Sequence, residues 1–222
     1  MREVVLDTET TGLTPKTGHR IVEIGCVELV NLVPTGMVYH AYINPERDMP
    51  EEAFNVHGLS QTFLRDKPKF DEIAADFLEF VEGAQLVIHN ADFDMGFLNA
   101  EMKMLNRVEL GNQVVDTVRM ARKKFPGAHA NLDALCRRFG IDNSAREKHG
   151  ALLDAELLAE VYLELTGGRQ PGLLLGGEVE KSGDVEVVEK VERSARAHAA
   201  SDAEMQAHSA FLEKIDDPIW RA

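Results

Sequence analysis

An apolar run near the amino terminus, Glu3-Val4-Val5-Leu6, passes straight into Asp7-Thr8-Glu9-Thr10-Thr11-Gly12. In an extended strand residues i and i+2 share a face, so Asp7 and Glu9 project together where the strand meets a polar turn. Two carboxylates held that close repel, and the pKa of one rises unless cations neutralise both. Oxygen-only clusters of this kind suit Mg²⁺ or Mn²⁺. The spacing alone says little. Asp154-Ala155-Glu156, Asp184-Val185-Glu186 and Asp202-Ala203-Glu204 repeat it in a chain with 38 acidic residues. The first pair stands out because Thr-Thr-Gly follows it and its strand opens the chain.

Two other segments offer partners. Leu86-Val87-Ile88-His89-Asn90-Ala91-Asp92-Phe93-Asp94 reads as a strand entering a helix, and either Asp92 or Asp94 can reach a shared site from that turn. The competing use is a helix cap, which is common for Asp. His149-Gly150-Ala151-Leu152-Leu153-Asp154 opens the last long helix. His89 and Asp94 share its His-x4-Asp spacing, and a solvated surface side chain is the competing reading for His149.

The elements that must position these groups follow from hydrophobic patterning. Residues 2–6, 20–32 and 37–43 are β-rich and separated by Gly12, Pro15, Gly18, Pro34 and Gly36, which predicts an antiparallel meander. Phe70, Ile73, Ala74, Phe77, Leu78 and Val81 recur at helical spacing and stop at Gly83. A strand at 86–88, a helix near 93–105, a strand at 114–115 and helices near 117–124, 132–139 and 151–165 follow, with Asn131 and Gly140 as cap and stop of the middle one. Three strands and then alternation imply an α/β domain, a mixed sheet covered by helices. The composition changes after Gly167-Gly168. Residues 171–177 are rich in Gly and Leu, and 178–200 are charged and aperiodic, as in a linker. Ser201-Asp202-Ala203-Glu204 fits a capping box for a short amphipathic helix carrying Met205, Phe211, Leu212 and Ile215. The expected layout is a domain over 1–169, a linker over 170–200 and a tail over 201–222.

Composition sets the limits. Hydrophobic residues make up 44% of the 222, enough for a sizeable core. No apolar run approaches the ~18 residues of a membrane span. No basic leader precedes the first strand, so a cytoplasmic protein is expected. Cys26 and Cys136 sit in apolar segments without a CxxC, which excludes a disulfide scaffold and a cysteine zinc site. The net charge of -14 argues against attachment to nucleic acid or membrane by charge alone. Residues 119–148 run the other way, with eight basic side chains, among them Arg146 and Lys148, against three acidic ones. That stretch can line a path for phosphates, or be a solvated helix face.

Taken in order, Asp7-Thr8-Glu9-Thr10-Thr11-Gly12, His89-Asn90-Ala91-x-Phe93-Asp94 and His149-x4-Asp154 resemble the three motifs of the DEDDh 3′–5′ exonucleases, over nearly all of residues 1–166. The resemblance implies a ribonuclease H-like mixed sheet flanked by helices. It implies that Asp7, Glu9, Asp94 and Asp154 hold two Mg²⁺ (or Mn²⁺) ions, with His149 as general base. Asp94 is the match rather than Asp92, because the family's Asp directly follows a Phe. Val56-His57-Gly58-Leu59 resembles the family's His-Gly turn near the substrate, and Glu52 sits where relatives place a substrate-contacting acid. The expected substrate-binding set is therefore Asp7, Glu9, Glu52, His57 and Asp154.

Within the family the chain is most similar to proofreading subunits of bacterial replicative DNA polymerases. Asn131-Leu132-Asp133-Ala134-Leu135-Cys136, Gly150-Ala151-Leu152-Leu153-Asp154-Ala155 and the ending Trp220-Arg221-Ala222 carry this likeness. It implies a DNA 3′ end as substrate and a polymerase catalytic subunit bound through Phe211, Leu212, Ile215 and Trp220. Gln170-Pro171-Gly172-Leu173-Leu174-Leu175 resembles the Gln-x-x-Leu-x-Leu peptide that docks on sliding clamps, through Gln170, Leu173 and Leu175. A small accessory subunit is a further partner the likeness allows. The rivals are a stand-alone exoribonuclease of the same family, a non-catalytic nucleic-acid-binding module, and an Asp/His hydrolase of small phosphoesters. The motifs leave DNA and RNA open, and the tail and clamp-like peptide favour DNA.

Overall fold

A computed structural model describes residues 1–144, 146, 148–168 and 200–215. Gln170, Leu173, Leu175 and Trp220 lie outside the described residues. The chain divides into two units, Met1–Leu175 and Gly176–Ala222.

The first unit is built on a five-stranded sheet of order β3-β2-β1-β4-β5. β1 (Arg2–Thr10) pairs antiparallel with β2 (Ile21–Val30), which pairs antiparallel with β3 (Val33–Tyr42). On its other side β1 pairs parallel with β4 (Gln85–Ile88), and β4 pairs parallel with β5 (Val114–Asp116). The meander and the mixed sheet follow the sequence reading, but several strand boundaries move. β1 runs on to Thr10, because the ladder continues through Asp7 opposite Gly25 and Glu9 opposite Glu23. Both acids therefore lie inside a strand and not past its end. β3 begins before Pro34 and Gly36; it is an edge strand, where a missing N–H costs no ladder bond.

Alternation along β1 sorts its side chains. Val4 and Leu6 pack with Ile24, Phe77, Leu86, Ile88 and Phe97 in one core layer. Val5 packs with Val27, Leu29, Val87, Leu135, Leu158 and Val161 in the other. The first layer is covered by α3 (Phe70–Val81) and α4 (Ala91–Met104), the second by α6 (Leu132–Phe139) and α7 (Ala151–Thr166), with α5 (Thr117–Lys124) adding Ala121. Each fully buried Phe or Leu contributes about 1.5–3 kcal/mol. Asp7 and Glu9 share the parity of Val5 and therefore point towards α7.

α7 lies along β1 in the opposite direction. Near its end the Tyr162 hydroxyl donates to Glu3 Oε1 at 2.6 Å. At its start the backbone presses onto Gly25, where a Cβ would lie 2.2 Å from the Leu152 nitrogen. The opening turn of α7 is thereby laid over the Asp7–Glu9 end of the sheet. The loop between β1 and β2 is clipped to α4 by half-buried Arg20, whose Nε and Nη2 donate to the two oxygens of buried Glu101 at 2.7 Å each. Two short helices were not predicted, α1 (Glu51–His57) and α2 (Gln61–Leu64). In the second unit α8 (Asp202–Leu212) starts at the expected capping box, with Ser201 accepting from the Glu204 N–H and Glu204 accepting from the Ser201 N–H. No helix of the described residues is long and apolar enough to cross a membrane.

Candidate active site

Three elements bring the acids together. β1 supplies Asp7 and Glu9, the first turn of α4 supplies Asp94, and the first turn of α7 supplies Asp154. A carboxylate in a first helical turn is favoured by the free N–H groups and the dipole there. Asp94 is stitched to β1: the Thr8 N–H and hydroxyl both donate to its Oδ1, at 3.0 and 2.6 Å. Thr8 stands between Asp7 and Glu9, so one residue fixes the third acid against the first two. Asp92 is not gathered; it is exposed and paired with Arg119 at 2.7 Å. Asn90 adopts φ 67° at the turn into α4, a left-handed conformation that Asn tolerates better than most residues.

Glu9, His149 and Asp154 each present a ligand atom within 4.8 Å of the other two. Asp94 and Asp154 are 2% and 3% exposed, and His149 lies at the surface. Burial, then Asp154 and Glu23, pushes Glu9 up to about 8. Burial pushes Asp94 up to about 7, against the Thr8 hydrogen bond that favours its charge. Asp7 is raised well above the carboxylate range by burial and then by Asp94, Glu9 and Asp154. Asp154 alone falls below its ordinary value. Its burial acts against ionisation, and the contacts from His149 and Arg146 outweigh it.

Carboxylates that repel inside a low-dielectric site call for added positive charge, and their oxygens are the donors that Mg²⁺ and Mn²⁺ prefer. Asp7, Glu9, Asp94 and Asp154 therefore fit divalent ions. The loop bearing His149 is docked on α1, with the His149 N–H donating to the Val56 carbonyl at 3.2 Å and Lys148 Nζ 5.0 Å from the Phe54 ring.

A cavity of about 480 Å³ opens beside Glu9, with Thr10, Leu13, His19, Glu52, His57 and Phe93 in its wall. Both loosely matched substrate residues, Glu52 and His57, thus face one space. His57 is buried, and its Nδ1 accepts the Leu59 N–H at 3.0 Å. Its Nε2 leans towards the Thr10 backbone but finds no hydrogen-bond partner among the described residues. Burial, then the nearby Lys148 charge, lowers its pKa to about 4. The ring is neutral at pH 7 and carries its proton on Nε2. A larger cavity, about 780 Å³, surrounds Arg2, Glu82 and Asn112 and contains none of these acids.

The sequence reading passed over one residue of the site. Arg146, with its side chain 8% exposed, forks onto Asp154 and also reaches Asp133 and His149. Its only sequence mark was a place in the basic stretch three residues before His149. Phe211 and Leu212 end α8, and Ile215 follows it in the second unit.

Comparison with known proteins gives the site its family. A family model described as Exonuclease matches residues 4–162, which includes all four acids and His149. The chain belongs to that exonuclease family. Its relatives match along their whole length. A protein named DNA polymerase III subunit epsilon from Rickettsia felis is 52% identical over 225 residues, covering 97% of both chains. The protein of that name from Escherichia coli is 45% identical over 237 residues, covering 100% of this chain and 98% of that one. Among solved structures, the nuclease domain of 3′hExo, a DEDDh family member bound to rAMP, superposes with a TM-score of 0.66 at 17% identity, over 74% of this chain and 91% of that one. Exonuclease X in complex with 5′ overhanging duplex DNA gives 0.57 at 22%, over 73% and 90%. These neighbours show that the exonuclease has the ribonuclease H-like nuclease fold expected from its motifs.

Proposed function

We propose that this exonuclease is the proofreading subunit of a bacterial replicative DNA polymerase, the epsilon type, hydrolysing the 3′-terminal phosphodiester of DNA to release nucleoside 5′-monophosphates. One observation carries the reading: Glu9, His149 and Asp154 meet within 4.8 Å, with Asp7 and Asp94 alongside, and Glu9 also lines a cavity. Relatives of matching length at 45–52% identity bear the epsilon name.

Nucleases of this type depend on divalent metal. Asp7, Glu9, Asp94 and Asp154 would hold two Mg²⁺ or Mn²⁺ ions, which when bound supply Lewis acidity to the phosphate and lower the pKa of water. His149, on the exposed lip of the cluster, takes the proton of the attacking water. Thr8 keeps Asp94 aimed at the cluster. His57 offers a neutral Nε2–H to an acceptor on the terminal nucleotide, and Glu52 faces the same cavity. Phe93 and the exposed Leu13 offer that nucleotide an apolar contact in the same cavity.

A net charge of -14 leaves little intrinsic affinity for a polyanion. Tethering to a polymerase supplies it instead, by raising the effective concentration at the primer end. The polymerase contact is assigned to the tail, 201–222, with Phe211, Leu212, Ile215 and Trp220 as its apolar anchors. Gln170, Leu173 and Leu175 are assigned to a sliding clamp, and a small accessory subunit completes the set of partners.

The deciding assay is Mg²⁺-dependent release of label from 3′-labelled mismatched DNA, run beside a short RNA. Wild type should degrade the DNA, and His149→Ala should be slower by about 10²–10⁴. Faster turnover of the RNA would transfer the chain to the exoribonucleases. Equal rates for wild type and variant would remove His149 from the chemistry.

A further inference from the structure

Arg146 makes contacts that a bystander would not. Its Nη2 donates to Asp154 Oδ2 at 2.7 Å, and its Nε reaches the other Asp154 oxygen. Nη1 donates to Asp133 Oδ1 at 2.8 Å, and Nη2 also lies 2.7 Å from His149 Nδ1. A guanidinium in a protein never loses its proton, so every nitrogen facing a partner is a donor. His149 Nδ1 must therefore be the acceptor, with its lone pair turned to Arg146. The alternative, a proton on Nδ1 shared with Asp154 Oδ2 at 3.3 Å, would set two donors against each other at the shorter distance. The neutral ring then holds its proton on Nε2.

One side chain thus covers both oxygens of a metal-site acid and the lone pair of the base. We propose that Arg146 guards the site: it competes with a divalent ion for Asp154 and occupies the lone pair of His149 until the ion displaces it. This rests on the metal reading of the acid cluster given above. Asp133 supplies the parking place. It belongs to α6 and not to the cluster, is half-exposed, and is held by Asn143 Nδ2 at 3.0 Å. On leaving Asp154 the guanidinium keeps that partner, so displacement does not strand a buried charge. Metal entry and release of the base become a single event. A cluster without its metal is then held without a working base.

The test is a Mn²⁺ titration of the full-length chain by calorimetry, with wild type, Arg146→Gln and Arg146→Lys. If Arg146 leaves about a tenth of the metal-free molecules open, removing it should tighten Mn²⁺ binding about tenfold. Lysine keeps the charge but cannot fork over Asp154 and His149, so its affinity should fall between the two. Thermal melting gives a second readout. Metal-free Arg146→Gln should melt below wild type, and saturating Mn²⁺ should close the gap. Affinity equal to or weaker than wild type's, or a gap that persists at saturation, overturns the guard. Failure of the metal reading would look different: wild type itself would then show no saturable Mn²⁺ binding that Asp7→Asn removes.

Discussion

Burial pushes Glu9 up to about 8, with Asp154 and Glu23 adding to it, and burial pushes Asp94 up to about 7. Ionised, they oppose folding, so neutralising one by substitution should help the metal-free protein. Asp94→Asn keeps an acceptor for Thr8 and removes the charge. Its metal-free melting temperature should rise by about 2–4 °C for each kcal/mol relieved, while protection by Mg²⁺ disappears. Scanning fluorimetry with Mg²⁺ and with chelator reads both, and a lower metal-free melting point would contradict this account. His57 has the opposite sign. Its folded pKa, about 4, lies below its ordinary value of 6.5, so the unfolded chain binds the extra proton first. The stability linked to its neutral ring is present above pH 6.5 and is lost as pH falls towards 4. Melting of wild type against His57→Asn in chelator should show the wild-type advantage at pH 7.5 shrinking at pH 5; a constant gap would refute it. A strand's two-residue period put Asp7 and Glu9 on one face, but the choice of Asp94 over Asp92 and of Asp154 came from the resemblance to the exonuclease motifs, since the spacings recur elsewhere in the chain. Arg146 was not, because its partners come from α6, α7 and its own loop, and no spacing encodes such a meeting.

At the level of elements, the site depends on how closely α7 approaches the sheet. A methyl at Gly25 would lie 2.2 Å from the Leu152 nitrogen, so Gly25→Ala must push back the turn that carries Asp154 and the loop that carries His149. Overpacking of this kind costs about 1–3 kcal/mol, and a 1 Å displacement of reacting groups costs about 10²-fold in rate. The variant should therefore stay folded by circular dichroism while losing roughly that factor on labelled DNA, and near-normal turnover would show that α7 can yield without moving the acids. Long helices with an apolar stripe were readable, and Phe70–Val81, Thr117–Lys124 and Leu132–Phe139 have the bounds that periodicity suggests. α1 was not readable. It has seven residues, follows Pro50, and leaves Phe54 and Val56 largely at the surface, so it shows no core-facing pattern. Yet this helix anchors the His149 loop through Val56, which makes a locally weak element a support of the candidate site.

For the whole molecule, the division of labour predicts separable losses. A chain lacking residues 201–222 should fail to co-purify with the polymerase catalytic subunit while degrading 3′-labelled DNA at near wild-type turnover. Unchanged co-purification would remove the tail from that role. The boundary expected after residue 169 rests on composition alone, on a charged stretch with few large apolar side chains, and that stretch lies outside the described residues. The sheet order was only partly visible: short connections announced the meander, but nothing local states that β1 lies between β2 and β4. α7 adds a consequence of its own. Its 16 residues span about 24 Å at 1.5 Å each, with Asp154 in the first turn and the chain leaving from the last. A load taken at the last turn would therefore reach Asp154 only through the whole packed length of the helix, turning the domain as one body before it disturbed the oxygens at the far end.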